Sequence, residues 1–219
     1  SGSSKLTKVT DGAVSFDGSG DYLSMSESDF TNISSSDAFT IEAFVYLNDL
    51  DAYSTVFASS NSSFSTGGFK LEIYNSKVRV QADSLDLNSG MTLSTKRWYH
   101  LAFSRTSDGK AYSFVDGILD NSATGKTFEV TWPVSVRIGG KANDTEYLNG
   151  FVSNFRYVDG TALYTSRFTP PTAPLTNVTN TKLLCCQSNT SATEAAVKPG
   201  DITANGDAAA TNFNPFNTD

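Results

Sequence analysis

Apolar and polar residues alternate with a period of two along most of the chain. In FTIEAFVYL (39–47), every second residue from Phe39 to Val45 is apolar, and Thr40 and Glu42 stand between them. Side chains of a β-strand point alternately to its two faces, whereas those of a helix repeat every 3.6 residues. The pattern therefore predicts a strand with one face in a core.

The same pattern recurs in further segments that are separated by turn signals. Asp108-Gly109 and Asp116-Gly117 are residue pairs that tolerate the positive φ of tight hairpin turns. The segments are 69–82, which turns at Asn75-Ser76, then 97–106, 110–120, 134–140, 149–160 and 181–187. With almost no helical pattern between them, they predict an all-β fold, a two-sheet antiparallel β-sandwich.

Composition and net charge indicate which classes of binding partner the protein lacks. Apolar residues make up 38% of the chain and charged residues only 18%, which is typical of a β-rich, loop-rich protein. The net charge is −7 and no basic cluster occurs, so we expect no nucleic-acid partner. No apolar run approaches the length of a membrane span, so we expect no membrane insertion.

The 219 residues fit a single sandwich domain with short flanking segments. Residues 1–8, which open with SGSS, are expected to be a tag remnant or linker, and residues 9–188 the sandwich. Residues 189–219 are small and polar, with a few apolar anchors. This C-terminal extension either wraps onto the sandwich or links it to a next module. The anchors that would hold the wrap are Val197, Ile202, Phe213 and Phe216.

His100, the single histidine, lies between Tyr99 and Leu101 in a segment that is apolar on both faces, as in the middle of a sheet. No local residue supplies a nucleophile at a recognisable spacing. Glycosidases need two carboxyl groups about 5–10 Å apart, and only Glu27 and Asp29, in a loop-like segment, come near that requirement. We therefore predict no catalytic residues and no enzyme activity.

Cys185 and Cys186 are the two cysteines of the chain. Adjacent residues of a strand point to opposite faces, which would strain a disulfide between them. We expect two reduced thiols, one of them facing the core.

Four segments resemble the laminin-G-like jelly-roll modules of the concanavalin A-like lectin/glucanase superfamily. They are AVSFDGSGDYLSM (13–25), FTIEAFVYL (39–47), RWYHLAFSRTSDGKAYSFVDGIL (97–119) and RIGGKANDTEYLNGFVSNFRYVDG (137–160). The resemblance implies a concanavalin A-like jelly roll in which the Trp-Tyr-His strand belongs to the framework. The paired catalytic acids of the glucanase members have no counterpart here.

A narrower resemblance concerns the end of the chain. GTALYTSRFTPPTAPLTNVTNTKLLCCQS (160–188), followed by FNPF (213–216), is similar to the ends of such modules in structural proteins of marine tailed phages. It implies a module from a longer fibre or virion-surface protein, with FNPF as part of the module.

The resemblance also implies calcium, because related modules often hold a structural calcium ion near an FDG-like turn. In DGSGD (17–21), Asp17 and Asp21 are the predicted metal ligands. Calcium takes six to eight oxygen ligands, and carboxylates in a glycine-rich loop suit it. The alternative is that Asp and Gly simply form the turn.

Three loops combine aromatic side chains with amide or carboxylate groups, the mixture that binds a sugar ring and its hydroxyls. We predict that they gather on one rim of the sandwich, since sites commonly lie on loops held by a rigid scaffold. The predicted carbohydrate-binding residues are Asp51, Tyr53, Asn61, Phe64, Asn143, Asp144 and Tyr147. The alternative for each aromatic residue is packing beneath its own loop.

The leading hypothesis is a non-enzymatic virion-surface or fibre module, outside the cell, that recognises host-surface carbohydrate. The first alternative is a structural decoration or spacer domain that contacts other virion proteins. The second is an unrecognised carbohydrate-active enzyme, either a hydrolase or a lyase. An exposed apolar patch would favour the spacer, and two carboxylates facing each other across a groove would favour the enzyme.

Overall fold

The computed structural model describes residues 12–60 and 67–216, and this part of the chain is all-β. Its one helical element is the 3₁₀ helix Glu27–Asp29. Within the described ranges, no helix has the length and apolar character needed to cross a membrane. The predicted fold class, a two-sheet antiparallel sandwich of the concanavalin A-like type, is confirmed.

Sixteen strands are described, and their bounds follow in chain order. They are β1 Ala13–Asp17, β2 Tyr22–Met25, β3 Phe39–Leu47, β4 Tyr53–Ser59, β5 Phe69–Tyr74, β6 Lys77–Ala82, β7 Leu85–Asn88, β8 Trp98–Arg105, β9 Ala111–Val115, β10 Ile118–Ala123, β11 Val136–Ile138, β12 Asn149–Asp159, β13 Thr181–Cys185, β14 Ala195–Val197, β15 Thr203–Asn205 and β16 Ala209–Thr211.

The strands form two sheets in which every paired neighbour is antiparallel. The nine-stranded sheet runs β10-β9-β8-β3-β12-β1-β16, with β13 also on β12 and β14 on β13. The seven-stranded sheet runs β15-β2-β11-β4-β5-β6-β7. β1 and β13 pair with different halves of β12, and a bulge that contains Asn154, whose φ is +53°, separates the two halves.

The core lies between the sheets and follows from the period-two pattern. Phe39, Ile41, Ala43 and Val45 of β3 all point into it and are fully buried. Across the gap, rings of the two sheets interlock, as where Phe57 stacks on Phe155 with centroids 4.8 Å apart. Large aromatic side chains packed in this way remove much apolar area from water, together with the buried Val, Leu and Ile side chains.

Short turns set the register of two predicted hairpins. Asn75 and Ser76 have φ values of +47° and +64°, and Asp116 and Gly117 have +49° and +71°. Two consecutive positive φ angles match the right-handed twist of the flanking strands. The outward and inward faces of β5, β6, β9 and β10 are thereby fixed.

Residues 189–216 lie along both sheets. β14 pairs with β13, β15 with β2 and β16 with β1, so the segment adds two strands to the nine-stranded sheet and one to the seven-stranded sheet. Ile202 is buried, and the Phe216 ring contacts Phe44 edge-on at 5.1 Å. The described end of the chain thus lies across the outer face of the nine-stranded sheet.

Candidate functional site

The outer faces of the two sheets differ in what covers them. On the nine-stranded sheet, residues 161–176 and 212–216 lie over the strands, as shown by contacts of Tyr164 and Phe168 with His100 and of Phe216 with Phe44. On the seven-stranded sheet, a groove of about 660 Å³ follows β2 between β15 and β11. Cavities of this size are common at small-molecule sites.

The floor of the groove follows from strand alternation. Leu23 and Met25 of β2 enter the core, so Tyr22 and Ser24 point outward. Register places Arg137 of β11 on one side of Ser24 and Thr203 of β15 on the other. Three short strands from distant parts of the chain thus bring two hydroxyls and one guanidinium into a single row.

Stacked side chains form one end of the groove. The Arg137 guanidinium lies 3.9 Å from the centroid of the Tyr22 ring. Tyr147 stacks on Tyr22 with centroids 6.3 Å apart and planes 21° apart. Burial and the nearby Asp144 charge raise the pKa of Tyr147, so its hydroxyl stays protonated at neutral pH. Flat rings and planar guanidinium groups suit the apolar CH faces of a ring-shaped ligand.

The other end of the groove is polar and acidic. Ser26 and Asp29, which begin and end the 3₁₀ turn after β2, face Gly200 and Asp201 of the C-terminal segment. A Cβ added at Gly200 would collide with the Asp29 carboxylate, so the absence of a side chain at Gly200 lets the C-terminal segment pass close to Asp29 as it stands. The groove therefore needs both the β2 region and the C-terminal segment.

Arg137 is held in place but retains a donor. Its Nη1 donates to the Asp144 carboxylate at 2.7 Å and to the Lys141 carbonyl at 2.9 Å, and its Nε contacts the Ser135 hydroxyl at 3.4 Å. Within the described residues, Nη2 has no acceptor. Asp144 compensates Arg137, and Lys198, whose Nζ lies 3.1 Å from the Asp201 carboxylate, compensates Asp201. Asp29 therefore gives the groove its net negative charge.

Two of the residues predicted from sequence border this groove. Asp144 fixes Arg137, and Tyr147 stacks on Tyr22. Asn143 lies in the same loop, where its Oδ1 accepts a hydrogen bond from the Thr145 hydroxyl at 2.7 Å.

Asp51 and Tyr53 lie elsewhere on the same side of the sandwich. Asp51 is exposed just before β4. Tyr53 is 41% exposed and packs on Tyr74 of β5 with centroids 4.9 Å apart. β11 lies between β4 and β2, so these residues flank the groove without lining it.

Asn61 and Phe64 lie outside the described residues. Ser60, the residue before this segment, follows β4, whereas Asp51 precedes β4. A strand rises about 3.3 Å per residue, so the seven residues of β4 separate Ser60 from Asp51 by roughly 20 Å. The loops at 47–54 and 139–150 do meet, where Asn48 donates its backbone N–H to the Asn149 carbonyl at 3.0 Å.

Asp17 and Asp21, the predicted calcium ligands, share one turn with a structural explanation of its own. The Asp21 carboxylate accepts backbone N–H groups from Asp17 at 2.9 Å and from Asp207 at 2.5 Å. Asp17 accepts the Ser19 N–H at 2.7 Å. No group of three or more His, Cys, Asp or Glu side chains within the described ranges could hold a metal. The residues fit a turn that holds the β15–β16 connection, and calcium stays a prediction.

The chain was compared with known families and structures. A family model described as the concanavalin A-like lectin/glucanases superfamily matches residues 17–166. The chain belongs to the concanavalin A-like lectin/glucanases superfamily. No curated protein matches the chain in sequence.

Three solved structures share this superfamily fold. A Bacteroides ovatus protein, provisionally assigned as carbohydrate-binding, matches with a TM-score of 0.68 at 16% identity, over 92% of this chain and 60% of its own. The heptameric SAP-like pentraxin of Limulus polyphemus matches with a TM-score of 0.55 at 14% identity, over 72% of this chain and 80% of its own. Domains LG4-5 of the mouse laminin alpha1 chain match with a TM-score of 0.51 at 16% identity, over 75% of this chain and 48% of the laminin chain. The chain therefore spans less than two thirds of the Bacteroides protein.

Superfamily membership leaves the groove residues to be found from this structure. Sequence reasoning missed Tyr22, Ser24, Arg137 and Thr203, and it considered Asp29 only as one of a pair of acids. The alternation in YLSM shows that Tyr22 and Ser24 point away from the core. That signal identifies outward residues, but it does not show which strands lie beside them.

His100 is a buried framework residue, as predicted. Its Nε2 lies 2.9 Å from Oε2 of Glu42, and both side chains are fully buried. Glu42 also accepts the Tyr164 hydroxyl at 2.9 Å and the Arg156 guanidinium at 2.5 and 2.9 Å. Burial acts to raise the pKa of Glu42, but the hydrogen bonds and charges of His100 and Arg156 hold it below its usual value. No substrate can reach this cluster.

A second carboxylate cluster lies on the seven-stranded sheet. The Glu72 carboxylate lies 2.6 Å from Lys70 Nζ, which also lies 3.0 Å from Glu146. Burial raises the pKa of Glu72, whereas Lys141 and Lys70 hold that of Glu146 below its usual value. The Glu72 side chain has no exposed surface, so the pair does not form a glycosidase dyad.

Proposed function

We propose that the chain is a non-enzymatic carbohydrate-binding module whose site is the groove along β2. The observation that carries this proposal is the combination of stacked Tyr22 and Arg137 with hydroxyl and carboxylate groups on the open face of a lectin-like fold. The Bacteroides ovatus protein shares only the fold at 16% identity, so the argument rests on the groove itself. Burial of His100 and Glu72 supports the non-enzymatic part.

Each end of the groove would recognise a different part of the sugar. The ring's CH groups lie against Tyr22, which Tyr147 supports by stacking, and its hydroxyls accept from Arg137 Nη2 and donate to Asp29 and Asp201. Carboxylates accept hydrogen bonds from hydroxyls but repel other carboxylates and sulfates. The ligand class is therefore a neutral oligosaccharide rather than a sialylated or sulfated one.

We place the module on the surface of a virion or on a fibre, outside the cell, where it meets host-surface carbohydrate. Support comes from residues 160–188 and 213–216, the segments that resemble phage structural proteins, because part of each packs on the nine-stranded sheet. Antibodies against the module should label intact particles. Labelling confined to disrupted particles would contradict this location.

One observation favours contact with other virion proteins as a second role. Ile118 and Leu119, which begin β10, are each 42% exposed. Ile118 also borders a cavity of about 480 Å³ beside Arg167 and Phe168. A partly apolar patch at an exposed hairpin suits a protein neighbour.

The glycan proposal is tested by binding of the isolated chain to an array of neutral and acidic oligosaccharides, followed by calorimetry on the best ligand. We expect a dissociation constant on the order of 0.1–1 mM, with multiple copies supplying avidity on a particle. Tyr22→Ala should weaken binding by about tenfold or more, since a central aromatic contact contributes roughly 1.4 kcal/mol or more.

Tyr53→Ala is the matched control, because Tyr53 is an exposed tyrosine on the same face outside the groove. It should bind like the wild type. If Tyr53→Ala loses binding and Tyr22→Ala keeps it, the site is the loop rim and not the groove. If the wild type binds nothing on the array, with or without calcium, the carbohydrate proposal is wrong.

A further inference from the structure

Cys185 and Cys186 depart from the strand geometry expected for neighbouring residues. β13 ends at Cys185, and Cys186 adopts a left-handed backbone with φ of +60°. The chain therefore turns between them, and both side chains enter the core instead of pointing to opposite faces. Both are free thiols, and their Sγ atoms lie 3.7 Å apart.

This turn is held in place by surrounding backbone hydrogen bonds. Cys185 lies opposite Phe155 of β12 and Ala195 of β14, and the Cys186 carbonyl accepts the Asn154 N–H at 3.0 Å. Asn154 is itself in the left-handed region with φ of +53°. Two left-handed residues that are hydrogen-bonded across neighbouring strands fix the Cys186 conformation, so the approach of the sulfurs is built into the fold.

We propose that Cys185 and Cys186 form a vicinal disulfide when the chain folds in oxidising surroundings. The sulfurs need to approach from 3.7 Å to about 2.05 Å, which side-chain rotation and small peptide adjustments supply. With a small-molecule disulfide such as oxidised glutathione as oxidant, one thiolate attacks a glutathione sulfur and releases one reduced glutathione. The second cysteine thiolate then displaces the other glutathione, so two protein thiols become one disulfide and two glutathiones are reduced.

The bond should form during folding rather than afterwards. Both cysteines are buried in the folded chain. The hydrogen bond between the two thiols, together with burial, raises the pKa of Cys185, which keeps the reactive thiolate scarce once the core has closed. Adjacent Cα atoms are about 3.8 Å apart, less than most disulfides span, so the ring is strained and the bond is reducible.

The test is to refold the full chain from urea in a buffer of reduced and oxidised glutathione, then to unfold it again in acidic urea, alkylate it and measure its mass. We expect a monomer that is lighter than the reduced chain by two hydrogen atoms and resists alkylation until it is reduced. The peptide containing both cysteines should carry the internal bond. Two alkylated thiols, glutathione adducts or a cross-linked dimer would each overturn the proposal.

Cys185→Ser and Cys186→Ser serve as controls, because each leaves a single thiol that cannot lose the two hydrogens. If either variant fails to fold, the wild-type mass still decides. The inference does not depend on the proposed function. The cysteines lie in the nine-stranded sheet and the groove lies on the other, so glycan binding should be unchanged by reduction.

Discussion

The outer faces of the two sheets carry buried charge in different ways. On the nine-stranded sheet, Glu42 is sealed beneath a second layer of chain and receives hydrogen bonds from Arg156, Tyr164 and His100. On the seven-stranded sheet, Glu72 shares Lys70 with Glu146, close to open solvent. The pKa of Glu42 is lowered and that of Glu72 is raised. The first face is covered and the second is open, which is why the proposed binding site lies on the second.

Glu42→Gln should destabilise the covered outer face of the nine-stranded sheet and have the largest effect on the stability of the protein. Removing the carboxylate leaves Arg156 buried without its countercharge, so we expect a loss of about 3–5 kcal/mol in the free energy of unfolding. Urea denaturation measures it. Glu27→Gln, on an exposed glutamate, is the control and should change stability by less than about 0.5 kcal/mol. Equal stability of the two variants would contradict the assignment of Glu42 as the anchor of this face.

Asp21→Asn tests the turn where the two faces meet. The Asp21 carboxylate holds the backbone N–H of Asp207, between β15 of one sheet and β16 of the other. Hydrogen bonds to a charged acceptor contribute about 1.5–3 kcal/mol, so we expect a loss in this range together with weaker glycan binding. Calorimetry with calcium separates the alternatives. A calcium-dependent rise in the wild-type melting temperature that Asp21→Asn abolishes would show that the turn is also a metal site.

Glu72→Gln tests whether Glu42 and Glu72 contribute to the free energy of unfolding over opposite pH ranges. A carboxylate with a lowered folded pKa stabilises above its usual pKa, and that stability is lost as the pH falls through the lowered value. The cost of Glu42→Gln should therefore shrink in acid. Glu72 has a raised pKa, so its stabilising contribution is present in acid and is lost as the pH rises. Glu72→Gln should cost about 1 kcal/mol in acid and less at neutral pH. Parallel pH profiles for the two variants would contradict the comparison.

The smallest effect concerns selectivity in the groove. The double variant Asp29→Asn, Asp201→Asn removes both carboxylate charges, including the one that pairs with Lys198, and leaves the shape. We expect its affinity for sialylated or sulfated oligosaccharides to rise by about three- to fivefold, in keeping with partly exposed charges. Affinity for neutral ligands should change less. The ratio of the two affinities on the same array is the measurement, and an unchanged ratio would show that these carboxylates do not exclude acidic glycans.

The sequence predicted most of the core strands, because β3, β5, β6, β8 and β12 alternate over long stretches. It could not predict β14, β15 and β16, whose sequences AAV, TAN and AAT carry no alternation and form strands only where an edge is offered to them. Glu42 looked like a solvent-facing residue for a similar reason. Nothing local shows that the segment around Tyr164 will cover it.

The site shows the same limit. Asp144 and Tyr147, two of the residues predicted from sequence, contact Arg137 and Tyr22 of the groove, and the outward direction of Tyr22 and Ser24 follows from alternation. The pairing of β2 with β11 and β15 joins residues more than a hundred positions apart, and only the folded chain reveals it. The approach of Cys185 and Cys186 was missed because strand alternation was assumed through a residue that turns.

The proposed location of the glycan site is tested most directly by mapping the bound oligosaccharide through backbone and side-chain NMR shifts on the labelled chain. If the groove along β2 is the binding site, the largest shift perturbations fall on Tyr22, Ser24, Arg137 and Thr203, with none on the strands around Glu42. Perturbations centred on the nine-stranded sheet, or on the 47–54 loop with the groove unchanged, would contradict it.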